Sequence, residues 1–305
     1  MSKNPELSII SVNYNGLEHT LQMIKSIKDN LSEIDYEIIV VDNASKESCK
    51  KVINSLFKDV IVIQSNINLG FAGGNNLAIK SSKGDFVFLL NNDTFIEDNS
   101  IINLIKRLRS SDKIGAASPK IRFSWGTRTI QFAGYTKLSS ITMRNQIIGY
   151  NMDDNYNFNT AQSSSYLHGA ALMVKRQVIE KVGLMPQIYF LYYEELDWCQ
   201  KMIDAGYELW YEPNSTVFHK ESCATGQNST FKLYYITRNR LLFAYRNRKG
   251  LIRFLSILYQ MAVILIKSLL YLLKAKGKYA FNMLKAGYDF IRLENKLEAN
   301  APLNS

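Results

Sequence analysis

The chain has 305 residues, 47% of them apolar and 21% charged, with 16 Gly and only 5 Pro, which excludes a long disordered linker and suggests one large domain plus an appendage. Its 37 Lys and Arg against 27 Asp and Glu give +10, but residues 246–292 hold ten basic residues and a single acid, Asp289, so the body is nearly neutral and the tail is a cation. A nucleic-acid binder would spread its basic residues over the folded body. A basic tail rich in Leu, Ile and Tyr points instead to an anionic membrane surface, and Cys49, Cys199 and Cys223 are too widely spaced for a disulfide framework or a zinc site.

The opening residues, MSKNPELSIISVNYNG, lack the long apolar stretch of a signal peptide. Leu7–Asn13 (LSIISVN) is a short apolar run that reads as a buried strand. Leu21, Ile24 and Ile27 give Thr20–Asn30 helical spacing, and Tyr36–Val41 (YEIIVV) is a second strand ending at Asp42. The spacing then predicts a helix over Cys49–Phe57, a strand over Val60–Gln64 and a helix over Gly73–Ser81. Phe86–Leu90 (FVFLL) is a fourth strand ending in Asn91-Asn92-Asp93, followed by a helix over Asn99–Ser110. Such alternation argues for a parallel α/β sheet covered on both faces, with ligands beyond the carboxyl ends of its strands. The polar clusters at Asn13–Gly16, Asp42–Ser45 and Asn91–Thr94 should gather on that edge. From Ile121 to Tyr166 the pattern loosens into extended segments and loops. Leu167–Arg176 (LHGAALMVKR) is strand-like, Val178–Val182 starts a helix, and Phe190–Ala205 is acidic in front and helical behind.

Several residues carry two readings on the sequence alone. Asp93, at a strand end and flanked by Asn, is either a hard-oxygen ligand for Mg2+ or Mn2+ on a diphosphate or a helix cap. Asp42 either caps the next helix or accepts a hydrogen bond from a nucleotide. Gly70, Gly73 and Gly74 in NLGFAGGNN permit close backbone approach at a helix start, but no P-loop lysine follows. Glu194, Glu195 and Asp197 repel one another, which would make one of them a general base; the bland alternative is a solvated first helical turn. His219 follows the strand-like Ser215–Phe218 and is either a satisfied polar residue or a metal ligand.

Taken in order, SVNYNG, VVDNAS, NLGFAGGNN, LLNNDT, HGAALMVKR, FLYYEELDW, VFH and ITRNR resemble glycosyltransferase family 2, and within it the bacterial rhamnosyltransferase-like enzymes of cell-surface polysaccharide assembly. The likeness covers about residues 6–292. It implies an α/β fold of the GT-A type, a Rossmann-like mixed sheet flanked by helices, and an inverting, Mg2+- or Mn2+-dependent transfer. By resemblance the donor-binding residues are Asn13, Asn15, Asp42, Asn76, Asn91, Asn92 and Arg238, the last paired with Asn239. Asp93 is the metal-holding acid of the D-x-D-like motif, and His219 is a second metal or diphosphate ligand. Glu195 matches the general base, with Glu194 and Asp197 as the other members of the catalytic cluster. Two departures stand out: Asn91 occupies the first acidic position of the metal motif, and Glu195 stands where Asp is usual.

These readings divide the chain into a catalytic domain over 1–245 and a basic amphipathic helical tail over 246–305. Leu251–Leu273 is long enough to span a bilayer, but Gln260 and Lys267 interrupt it, which favours a helix lying in the membrane plane over a spanning one or an oligomer contact. The expected partners are a dTDP- or UDP-linked sugar, a saccharide or lipid-linked saccharide acceptor and an anionic membrane surface. Nucleic acid is not among them, and self-association through the tail is an alternative use of the same helix. The expected location is cytoplasmic, peripheral on the inner face of the cell membrane. A rival reading is a non-catalytic nucleotide-sugar or carbohydrate-binding module on a decayed transferase fold. Retention of Asp42, Asp93, Glu195 and His219 argues against decay.

Overall fold

A computed structural model describes residues 4–154, 156–220 and 229–299; Cys223 lies outside them. The chain forms two compact units, the first made of residues up to Lys137, Gln146–Phe190 and the described residues from Glu194 to Lys220.

Strands and helices alternate from the start of this first unit, as the apolar runs predict. They are β1 (Leu7–Asn13), α1 (Leu17–Asn30), β2 (Tyr36–Asn43), α2 (Lys50–Leu56), β3 (Ile61–Ser65), α3 (Gly70–Ser81) and β4 (Phe86–Leu90). Next come β5 (Thr94–Phe95), α4 (Ile102–Arg109), β6 (Ile114–Phe123), β7 (Ile130–Phe132), β8 (Gln162–Ser163), β9 (Ala171–Lys175), α5 (Arg176–Val182), α6 (Glu194–Asp204) and β10 (Glu208–His219). One sheet runs in the order β3-β2-β1-β4-β9-β6-β10-β5. β1 to β4 pair in parallel, with Asn13 opposite Asp42, so three polar strand ends lie on one edge. β9 then runs antiparallel to both β4 and β6, and β10 is parallel to β6. The sheet is therefore mixed, and the carboxyl ends of β4 and β10 and the start of β9 share that edge. Ile9, Val40, Phe88, Ala117 and Met173 are buried in its core. Burial on both faces explains why these strands read as continuous apolar runs.

β6 has no counterpart among the elements read from the sequence, and this ten-residue strand contains Pro119 and Lys120. Pro119 sits opposite Glu212 where the register with β10 shifts, so no ladder donor is required of it. Lys120 is buried, and its Nζ donates to Asp154 Oδ1 and Asn159 Oδ1, each at 2.7 Å.

The second unit contains Leu138–Asn145, Leu191–Tyr193 and the described residues from Ser229 onward. Its helices are α7 (Thr230–Asn247), α8 (Gly250–Leu273) and α9 (Gly277–Ala299), so α7 runs across the residue-245 boundary drawn from charge. Ser229 caps α7 by accepting from Lys232 N at 3.1 Å. α8 is built with reversed polarity. It buries Ser256, Gln260, Ile264 and Ser268 at four-residue spacing and exposes Leu251, Leu255, Leu258, Leu265, Leu269 and Leu272. Ser256 Oγ donates to Ile141 O at 2.8 Å, and Gln260 Nε2 donates to Thr142 O at 2.7 Å. The polar interruption at Gln260 thus faces inward. Among the described residues α8 is the one helix long and apolar enough to cross a membrane.

Candidate active site

The polar strand ends of the first unit form a bonded frame. Asn13 Oδ1 accepts from Gly16 N at 3.1 Å and Thr20 Oγ1 at 3.0 Å, and its Nδ2 donates to Ser45 Oγ at 3.1 Å. Asn92 Nδ2 donates to Thr20 Oγ1 at 3.1 Å and Gly16 O at 3.3 Å. A Cβ at Gly16 would lie 2.7 Å from that Nδ2, so a larger residue there would push the Asn92 amide aside. Asn15, at φ 56°, accepts from Lys46 N through Oδ1 at 2.8 Å. Asp42 accepts from Ser45 N through Oδ1 at 3.1 Å and from Cys49 N through Oδ2 at 3.0 Å. Burial raises the Asp42 carboxyl, and these bonds with Ser45 and Cys49 outweigh it and hold the group below its ordinary value. Asn76 is engaged at both amide atoms, donating to Met185 O at 2.8 Å and accepting from Met185 N at 3.1 Å. The expected donor residues Asn13, Asn15, Asp42, Asn76 and Asn92 therefore hold the loops of this edge to one another.

The glycines of NLGFAGGNN have a similar role. α3 begins at Gly70, three residues before the expected start, and a Cβ there would lie 2.1 Å from Phe190 O. Gly70 has φ +71°, and Phe71 N donates to Phe190 O at 2.8 Å. At Gly74 an added Cβ would strike Val12 at 2.8 Å.

Asp93 and His219 come together although 125 residues separate them in the chain. The ends of β4 and β10 bring Asp93 Oδ1 to 3.1 Å from His219 Nε2, with both side chains largely buried. His219 Nδ1 lies 2.8 Å from Gln131 Oε1, a buried partner not expected from the sequence. With Nδ1 donating to Gln131, Nε2 is the nitrogen turned to Asp93, either as a second donor or as a lone pair for a metal. Burial raises the Asp93 carboxyl, but the hydrogen bond and charge of His219 hold it below its ordinary value. Among the described residues no group of three or more His, Cys, Asp or Glu is placed to hold a metal. One carboxylate and one imidazole nonetheless fit Mg2+ or Mn2+ that completes its shell with diphosphate oxygens and water. Asn91 lies beside this pair and donates its backbone N–H to Ala170 O at 2.9 Å.

The turn His168–Ala170, which the strand-like reading had absorbed, joins the same edge before β9. His168 Nδ1 accepts from Ala170 N at 3.1 Å, and its ring stacks on Tyr135 and meets the His219 ring edge-on. Burial and the His219 charge push His168 down to about 3, so it is neutral with its hydrogen on Nε2. Gly169 lies against Glu195: a Cβ there would be 3.6 to 3.8 Å from Glu195 Cγ, Cδ and Oε1, ordinary contact. Glu194 and Asp197 are buried in the first turn of α6, and Asp197 Oδ2 accepts from Tyr189 Oη at 2.6 Å. Two of the three acids are thus withdrawn from solvent, and Glu195 between them is half-buried. Arg238 lies in α7 of the second unit, donating from Nε to Asn239 Oδ1 at 2.9 Å. Cys49 and Cys199 are free and buried, and burial pushes both thiols up to about 12, which suits inert core residues.

Residues 8–183 match the family model described as glycosyl transferase family 2. The chain is 26% identical over 244 residues to the low-salt glycan biosynthesis hexosyltransferase Agl10 of Haloferax volcanii, covering 78% of this chain and 75% of that one. It is 21% identical over 264 residues to the N-acetylglucosaminyl-diphospho-decaprenol L-rhamnosyltransferase of Mycobacterium tuberculosis, covering 80% and 85%. Among solved structures it is similar to the mannosyltransferase PcManGT of Pyrobaculum calidifontis in complex with GDP-Man and Mn2+. The TM-score is 0.58 at 15% identity, covering 95% of this chain and 88% of that one. At that identity the likeness establishes the GT-A-type fold.

Proposed function

Because the chain belongs to glycosyl transferase family 2, we propose that it moves a sugar, with inversion, from a dTDP- or UDP-linked donor to a saccharide or lipid-linked saccharide acceptor of cell-surface polysaccharide assembly. Rhamnose is the first sugar to test, since one relative is a rhamnosyltransferase. The observation that carries the reading is the meeting of Asp93 with His219 at 3.1 Å on the sheet edge that also holds the turn beside Glu195.

Asp93 and His219 would hold Mg2+ or Mn2+, which when bound neutralises negative charge on a leaving diphosphate. Gln131 fixes the His219 ring for that role. Glu195 is the general base: it takes the proton of the acceptor hydroxyl as that oxygen attacks the anomeric carbon opposite the diphosphate. The new glycosidic bond forms as the bond to the diphosphate oxygen breaks. Glu194 and Asp197 complete the acidic cluster, with Asp197 fixed by Tyr189. Asn91 and Arg238 are assigned to the donor, and Asn13, Asn15, Asp42, Asn76 and Asn92 shape the loops that receive it.

The second unit docks on an anionic membrane, which places the enzyme on the cytoplasmic face beside a lipid-linked acceptor. The reversed polarity of α8 supports this, because its exposed leucines suit hydrocarbon while its Ser and Gln face inward. Lys274, Lys276 and Lys278 at the α8–α9 turn suit anionic headgroups.

The test is a panel of nucleotide sugars given to the purified protein with Mn2+ or Mg2+, reading nucleoside diphosphate release. Metal-dependent release from one donor is expected. Donor binding without release from any member would favour the non-catalytic module.

A further inference from the structure

The chain kinks sharply just before the acidic cluster. Phe190, Tyr192 and Tyr193 have φ of 67°, 68° and 77°, a region that bulky side chains seldom enter. Such a backbone persists only where its surroundings over-determine it.

The restraints on Leu191–Tyr193 come from α7, within the same unit. Asn239 is fully buried there. Its Nδ2 donates to Leu191 O at 2.7 Å and to Tyr192 O at 2.8 Å, so both amide hydrogens meet successive carbonyls. Two carbonyl oxygens can be answered only by the NH2 end of the side chain, which fixes the amide's orientation. Its Oδ1 accepts from Arg238 Nε at 2.9 Å. Arg240 adds a second restraint, donating from Nε to Tyr193 Oη at 2.7 Å. An apolar residue of similar size at 239 would leave both carbonyls without this donor. The next peptide bond leads from Tyr193 to Glu194, the first residue of α6, and Glu195 follows.

We propose that Asn239 is a positioning residue for the transfer reaction: its amide clamps the strained Leu191–Tyr193 turn and so sets where the acids of α6 begin. This rests on the reading of one of those acids as the base. In this role Asn239 acts through the backbone that enters the helix.

Asn239→Ala and the milder Tyr193→Phe, which removes the phenol oxygen that Arg240 meets, test this in the full chain. Each is measured alone and combined with Glu195→Gln, Glu194→Gln and Asp197→Asn. In the parent, Asn239→Ala should lower kcat about tenfold or more and Tyr193→Phe about threefold, with donor Kd within about twofold and both variants folded at the assay temperature. Asn239→Ala should also lower Tm, because it leaves two carbonyls without their donor. In the background lacking the true base, the same changes should cost less than about twofold, because a clamp cannot position an absent group. Additive losses with all three acid variants would overturn the proposal. So would losses that track donor Kd or the folded fraction at the assay temperature, or unchanged kcat. If Glu195→Gln retains full activity while Asn239→Ala is slow and non-additive with Glu194→Gln or Asp197→Asn, the base assignment fails and the clamp stands. Should Asn239→Ala not fold, Tyr193→Phe decides on the same criteria.

Discussion

The sheet unit and the helical unit both bury polar side chains, but they do so for different reasons. In the first, Asn13, Asp42 and Asn76 are buried at the edge of an apolar sheet, and each is tied to the backbone of a loop. Those bonds offset desolvation and give the loops one arrangement. In the second, α8 turns Ser256, Gln260 and Ser268 inward and leaves Leu251, Leu258 and Leu269 at 70%, 54% and 58% exposure. A water-soluble helix places its apolar stripe inward. In the first unit the buried polar groups order loops, and in the second they turn inward and leave an apolar face outside. On the proposed function the sheet edge serves chemistry and the exposed face of α8 serves location, so substitutions in those two places should fail separately.

The largest effects should come from the sheet edge. Asp93→Ala should lower turnover by about a thousandfold or more and abolish the Mn2+ dependence of donor binding, since it removes the hard oxygen beside His219. Glu195→Gln should cut kcat about 10²- to 10⁴-fold and leave donor affinity nearly intact, because a base acts on the acceptor proton. Steady-state kinetics with donor titration by calorimetry separates the two. Both variants should still float with anionic vesicles. Near-normal turnover of Asp93→Ala would remove the metal assignment, and a dead Glu194→Gln beside an active Glu195→Gln would move the base by one residue.

A converse loss is expected from the exposed face of α8. Leu258→Glu, Leu265→Glu and Leu269→Glu together remove side chains whose burial in lipid is worth about 1.5–3 kcal/mol each. Vesicle affinity should fall about a hundredfold or more, with transfer to a small soluble acceptor unchanged. Salt should weaken the parent's binding only in part, since the apolar contribution is not screened. Point substitutions serve better than removing residues 251–305, because Ser256 and Gln260 also hold the carbonyls of Ile141 and Thr142. Equal flotation of variant and parent would sink the dock. A change from oligomer to monomer in sedimentation, with flotation unaffected, would assign the face to self-association.

Legibility in the sequence followed how local the cause was. β1, β2 and β4 are continuous apolar runs ending in polar clusters, so both the strands and the edge they share could be read. β6 could not, because Lys120 is made tolerable by Asp154 and Asn159, 34 and 39 residues on. Asp93 and His219 were each ambiguous until the ends of β4 and β10 met. Gln131 left only a polar letter inside the short run Ile130–Phe132. The clamp of Asn239 reaches back 47 and 48 residues, and the motif placed it without disclosing what it binds. In α8, spacing made an amphipathic helix legible, while the inward-facing side followed only from the loop at Ile141–Thr142.

The smallest effect separates framework from chemistry within the sheet edge itself. Asp42 is buried, and its carboxylate receives the backbone N–H groups of Ser45 and Cys49. Its pKa is lowered on folding, so the unfolded chain binds the proton more tightly than the folded one. Stability from the ionised group is therefore complete above the ordinary carboxylate value, and it is lost as pH falls through the lower folded value. Asp42→Asn keeps the shape but turns an NH2 group toward one of the two N–H donors. At pH 7 it should cost about 1.5–3 kcal/mol, the scale of a hydrogen bond to a charged group. The gap between parent and variant in urea unfolding should narrow as pH drops below about 4 and close once Asp42 is protonated in both states. A gap that stays constant from pH 7 to below 3 would mean that the ionised carboxylate does not support these loops. If the gap closes as expected while donor affinity at pH 7 is unchanged, Asp42 is framework alone. A loss of donor affinity beyond the loss of stability would give it a direct contact with the nucleotide as well.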